Sequence, residues 1–176
     1  MDARLHHLQG KAKRVKTTEM LELLREFHRE KLALRQRHVA AARLIRDYDF
    51  NNAYQYVIAR EDTQLGWLHD AIADLGGRPD DVPEPEVRAE GKGKAAQTGI
   101  MSADRDLAGS FVEKWRPRIE SLPNARHRSL LRVILGETLE QQRTFEQAAG
   151  GRADVLGRRA DGAGTEGAVL PTRWVE

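Results

Sequence analysis

From Thr17 to Asp47 the chain runs without a glycine or proline, and apolar residues return along it every three or four positions. That period belongs to an amphipathic helix, because each helical residue advances by about 100°, whereas a strand would alternate at every second position. Thr17 or Thr18 can cap the start of this helix, and Glu19 and Glu22 suit its positive end. The link DYDFNN, with Asp49 as a cap, opens a second helix that closes at Gly76-Gly77 ahead of Pro79. Ser102 caps a third helix, expected to bend or restart at Pro117 because proline lacks the backbone donor. Asn124 caps a fourth that runs to Gly150-Gly151. The fold class read from this pattern is all-α.

Arg78 to Met101 is rich in Pro, Gly, Glu and Lys, has no hydrophobic period and is too long for a turn between neighbouring helices. Two short links around one long connection describe a four-helix bundle of two helical hairpins joined by a crossover. A chain of 176 residues supports one such core. The expected organisation is a basic N-terminal arm over 1–16, the bundle over 17–150 and a glycine-rich tail over 151–176. No stretch approaches the roughly 20 apolar residues that a bilayer requires, and the basic N-terminus has no apolar run of a secretory signal. Cytoplasmic residence is the expectation, and the absence of cysteine removes thiolate metal sites and thiol catalysis. With a net charge of +2 and aromatics at 6%, the chain lacks the one-sided basic face, interleaved with stacking rings, that nucleic-acid binding uses.

Several polar residues point with the apolar ones. Taking Glu61 as zero, Tyr54, Val57, Leu65, Leu68, Ile72 and Leu75 all lie within roughly 40° of it around the helix. About Glu137, Leu130, Val133, Ile134, Gln141 and Ala148 fall within roughly 60°. In the first helix Leu23, Phe27, Leu34 and Ala41 form a less distinct stripe through Glu30. Three helices are thus expected to aim a carboxylate inward. A buried carboxylate pairs with a cation, binds a metal or takes up a proton, so a metal or one of Lys31, Arg37, Lys114 and Arg118 should supply charge, unless the glutamates lie at a bundle end where water reaches them.

The segment YQYVIAREDTQLGWLHDAIADLGG resembles the second helix of the ferritin-like superfamily, including its rubrerythrin-like members, and the order of helices over 19–149 is similar to that fold. The resemblance implies a pair of iron or manganese ions, held by a glutamate from each of two helices and a Glu-x-x-His from each of the other two. Carried over by position, Glu30 would be the helix-one ligand, with Glu26 competing. Glu61 would open the helix-two motif, with Gln64 where histidine is expected, and Glu137 the helix-four motif, with Glu140 in the histidine's place. Helix three offers no inward glutamate: Glu113 projects away, and only Asp104 shares the inner face. A carboxylate-only set still suits hard ions such as Fe or Mn.

The tail ends in the apolar octet VLPTRWVE, in which Leu170, Trp174 and Val175 would anchor a docking peptide. A glycine-rich segment before such a peptide resembles the cargo-loading tails of ferritin-like proteins enclosed in encapsulin shells, though the octet matches no assigned loading motif. Folding back on the bundle, or on a dimer mate, is the alternative. Trp67 lies off its helix's stripe and is a candidate contact for another subunit, and a homodimer is the default by resemblance. Two functions follow: a metal-binding bundle with oxidase or peroxide-handling activity, or a non-catalytic bundle that acts as a partner-binding or encapsulated cargo protein through its surface and tail.

Overall fold

The computed structural model describes residues 2–152 and 154–156, with side-chain surroundings from residue 17 onward. Among these residues there are four α-helices and no strand: α1 (Asp2–Ala42), α2 (Tyr48–Asp74), α3 (Gly93–Glu120) and α4 (Ala125–Ala149). α1 packs against α2 and α3, and α4 against α3 and α2. None of the helices is long and apolar enough to cross a membrane.

The helix ends differ from expectation in instructive ways. α1 begins at Asp2, not at Thr17, and stops at Ala42, short of the predicted Asp47. The link to α2 then turns tightly, with Leu44 N–H on the Ala41 carbonyl at 2.9 Å. Asp47, not Asp49, caps α2: its backbone is extended and its carboxylate accepts the Phe50 N–H at 3.1 Å. Asn51 Nδ2 donates to the Ala42 carbonyl at 2.9 Å, covering one of the groups left open at the end of α1. Gln97 Oε1 accepts both the Arg46 and Asp47 N–H, at 2.8 and 3.0 Å. That double contact needs the start of α3 beside the link, so α3 begins at Gly93 and not at Ser102.

Gly76, at φ +78, ends α2 in the left-handed conformation expected of it, and Gly77 N–H reaches back to the Ile72 carbonyl at 3.0 Å. Asn124 caps α4 as predicted, accepting the His127 N–H at 3.0 Å. Pro117 sits inside α3 as a single continuous helix. Pro117 and Glu113 are both exposed, so the Glu113 carbonyl that loses its helical donor faces water.

Residues 75–92 run along α1. Arg25 pairs with Asp80, Gln36 Nε2 donates to the Val82 carbonyl at 3.2 Å, and Arg43 pairs with Glu84. From Arg25 to Arg43 is about 27 Å at 1.5 Å per residue, so the segment traverses much of the helix.

Two apolar clusters make the core. One holds Leu24, Phe27, Leu68, Ile72, Phe111, Trp115, Ile119, Leu131 and Ile134, the other Ile45, Phe50, Tyr54, Val57, Ile58, Ile100, Met101 and Phe145. On α2, α3 and α4 the gap between the clusters is filled by buried polar side chains: Glu61 and Gln64, Asp104, and Thr138 and Gln141. Lys31 and His38 face them from α1. A polar layer therefore crosses the bundle interior.

Candidate functional site

The polar layer is built around Lys31. Its side chain is fully buried, and Nζ donates to Glu61 Oε1 at 2.9 Å, Thr138 Oγ1 at 3.1 Å and Gln141 Oε1 at 3.1 Å. An ammonium has three protons, and here each has an acceptor, supplied by α2 and α4. The charge also lies 5.9 Å from the centre of the Phe111 ring on α3. The second Glu61 oxygen contacts His38 Nδ1 at 2.8 Å, and the imidazole packs against Phe145 and Tyr54. Burial by itself would push the Glu61 carboxyl up, but the charges of His38 and Lys31, and hydrogen bonds from both, hold it down at about 2.

A second buried acid lies beside this cluster. Asp104 accepts from Tyr54 OH at 2.5 Å and from Arg37 Nε at 2.6 Å. Burial first, and then the Asp104 charge, push the Tyr54 hydroxyl well above its usual range, so it stays protonated as the donor. Lys31 offsets Glu61 and Arg37 offsets Asp104. Replacing Tyr54 with phenylalanine leaves Asp104 one hydrogen bond short in a dry setting. The expected cost is about 1–3 kcal/mol, read as a lower urea midpoint at unchanged denaturant slope.

The residues singled out from sequence lie in different surroundings. Glu61 is fully buried, as its stripe implies. Glu30 is half-buried at the α1–α3 seam, where Lys114 Nζ donates at 2.5 Å and Trp115 Nε1 at 2.9 Å. Glu26, its competitor, takes both arms of Arg118 at 2.8 and 2.6 Å. Glu137 is also half-buried, bound by Arg60 and by Gln64 Nε2, the latter at 2.5 Å. Glu140 is exposed and pairs with Arg143 at 2.5 Å. Glu113 faces solvent and Asp104 faces inward, as the pattern requires. All four cations named as alternatives to a metal are used: Lys31 on Glu61, Lys114 on Glu30, Arg118 on Glu26 and Arg37 on Asp104. Leu170, Trp174 and Val175 lie outside the described residues.

The donor set does not fit the paired metal ions that the resemblance implies. Both Glu61 oxygens are engaged by nitrogen groups, and Lys31 brings a positive charge to the carboxylate that a metal would need. Among the described residues no group of three or more His, Cys, Asp or Glu is arranged to hold a metal ion.

Sequence reasoning named Lys31 as a possible cation for an inward carboxylate, but it centred the α1 stripe on Glu30 and the α4 stripe on Glu137, each one position from the true centre, and missed Thr138. The signal was present: Leu24, Phe27, Leu34 and His38 centre on Lys31, and Leu131, Leu135, Gln141 and Phe145 centre on Thr138. No protein-family model, curated protein or solved structure matches the chain.

Proposed function

We propose that this chain is a ferritin-like four-helix bundle without a working metal centre, which acts as a partner-binding protein through its surface and C-terminal tail. Partner binding is supported by the exposed Trp67 and Val133. The observation that carries the first part of this reading, the lack of a metal centre, is the Lys31 ammonium, hydrogen-bonded to Glu61, Thr138 and Gln141 in the middle of the bundle. A lysine there supplies internally the positive charge that metal ions supply in ferritin-like proteins, and it offers neither a redox couple nor an open coordination position.

Contacts between helices support the topology of two hairpins and a crossover. Arg60 with Glu137 and Asp74 with Arg126 run α2 antiparallel to α4, while Arg37 with Asp104 and Glu26 with Arg118 run α1 antiparallel to α3. α2 and α3 are then parallel. Their connection has to return along the bundle, as 75–92 does beside α1.

Metal analysis decides between this reading and a metalloprotein. Protein purified without chelator and then offered ferrous iron or manganese is expected to retain only traces after desalting. Stoichiometric metal that is lost in Glu61→Ala would overturn the reading.

A further inference from the structure

The outer face shared by α2 and α4 holds a groove of about 530 Å³, lined by Trp67, Asp70, Arg126, His127, Leu130 and Val133 among others. Three features make it unlike ordinary surface. Trp67 and Val133 are large apolar side chains left exposed side by side, 37% and 51% respectively. His127 is 93% buried by the same measure, at 7% exposure, yet its Nδ1 has no hydrogen-bond partner. The rim carries both charges, with Asp70 on α2 and Arg126 on α4. Arg126 is already paired with Asp74, so an occupant should bring apolar bulk and a cation for Asp70.

The octet at 169–176, Val-Leu-Pro-Thr-Arg-Trp-Val-Glu, meets each requirement. Leu170 and Val175 are the apolar bulk. Trp174 adds a large flat ring that can lie against the exposed Trp67. Arg173 complements Asp70.

Reach is sufficient within one chain. The tail leaves α4 after Ala149, and the groove centres on Leu130, about 28 Å back along the helix at 1.5 Å per residue. Val155 packs against the second apolar cluster, so the linker is counted from Gly157, and the 12 residues 157–168 can span up to about 40 Å when extended, at roughly 3.3 Å per residue. Four glycines in it, Gly157, Gly162, Gly164 and Gly167, leave few side chains to hinder the return. Tethering also supplies an effective concentration of the order of 1 mM, so even a weakly binding peptide is held.

We infer that the C-terminal octet docks in the α2–α4 groove of its own chain, seating Trp174 beside Trp67 and His127. The inference needs neither a metal nor an external partner, so it stands or falls apart from the function proposed above. Its consequence is that a partner drawn to either the groove or the octet has to displace one from the other.

The test uses full-length protein and the indole N–H signals of its tryptophans in a nitrogen–proton correlation spectrum. In Leu170→Ala/Trp174→Ala the Trp67 signal is expected to move while that of the core Trp115 holds, which also reports an intact fold. In Val133→Asp, a change at an exposed site, the Trp174 signal is expected to move to its position in the free synthetic octet. Both signals in the natural chain should be independent of protein concentration. An unmoved Trp67 signal, or a Trp174 signal already at the free-peptide position, would overturn the proposal. So would signals that shift with concentration, since those would place the octet, or a second copy, in the groove between molecules.

Discussion

Replacing Lys31 with methionine is expected to lower the unfolding free energy by about 3–5 kcal/mol, because it strands a carboxylate in the middle of the bundle. Glu61 is fully buried, and without the ammonium it keeps only His38. Thr138 and Gln141 lose the proton donor they share, so the loss exceeds that of a surface pair, whose worth is about 0–1 kcal/mol. For a chain of this size each kcal/mol moves the melting temperature by about 2–4 °C, so the fall should be of the order of 10 °C in a thermal scan. Methionine keeps the length and most of the volume of lysine, which limits the cavity contribution. The double variant Lys31→Met/Glu61→Leu should recover part of the loss, since it removes the stranded charge, while the buried His38, Thr138 and Gln141 still lack the partners they had. A single-variant loss under 1 kcal/mol would mean that water reaches Glu61 and that the pair is not buried in solution.

How much of this layer could be read from sequence depends on what stood beside each residue. Glu61 was legible because its stripe neighbours Tyr54, Val57, Leu68 and Ile72 are apolar and buried, so the pattern defines its own centre. On α1 and α4 the true centres are themselves polar. Lys31, His38, Thr138 and Gln141 satisfy one another or Glu61 across the bundle, and in doing so they drop out of any pattern built on apolar residues. The apparent centre then slips by one position, to Glu30 and Glu137, which is about 100° of helix. Both glutamates settle at the seam, held by Lys114 and Arg60.

The helix boundaries failed for a related reason. Gln97 and Asn51 satisfy backbone groups of the α1–α2 link from a distance in sequence, so no local signal announces where α1 ends or α3 begins. Of the caps that act within one turn, those at Asn124 and Gly76 were legible, whereas the sequence pattern makes Asp47 the last residue of α1 and Asp49 the cap, where the structure caps α2 with Asp47.

Acid should destabilise this protein through Glu61 more than through any of its exposed carboxylates. In the folded chain Glu61 titrates at about 2, against 4.5 for an ordinary glutamate. Its folded value is depressed, so its contribution is fully present above about pH 4.5 and disappears as the pH falls from there towards 2, where the folded carboxylate begins to take up a proton. The difference corresponds to about 3 kcal/mol. Glu26, Asp106 and Glu120 are also held down by arginine partners, but they lie at the surface, where solvent screens them. Comparison with Glu61→Gln removes that common background, because the surface acids titrate alike in both proteins. The natural chain should exceed the variant in urea-unfolding free energy at pH 7, and the gap should narrow by about 3 kcal/mol between pH 5 and pH 2. A gap that stays constant over this interval would show that Glu61 is not held ionised by Lys31 and His38. Adding a chelator should leave the acid profile unchanged, because the charge opposite Glu61 is covalently part of α1 and cannot be stripped away, whereas a carboxylate held down by a bound metal would lose its depressed titration along with the ion.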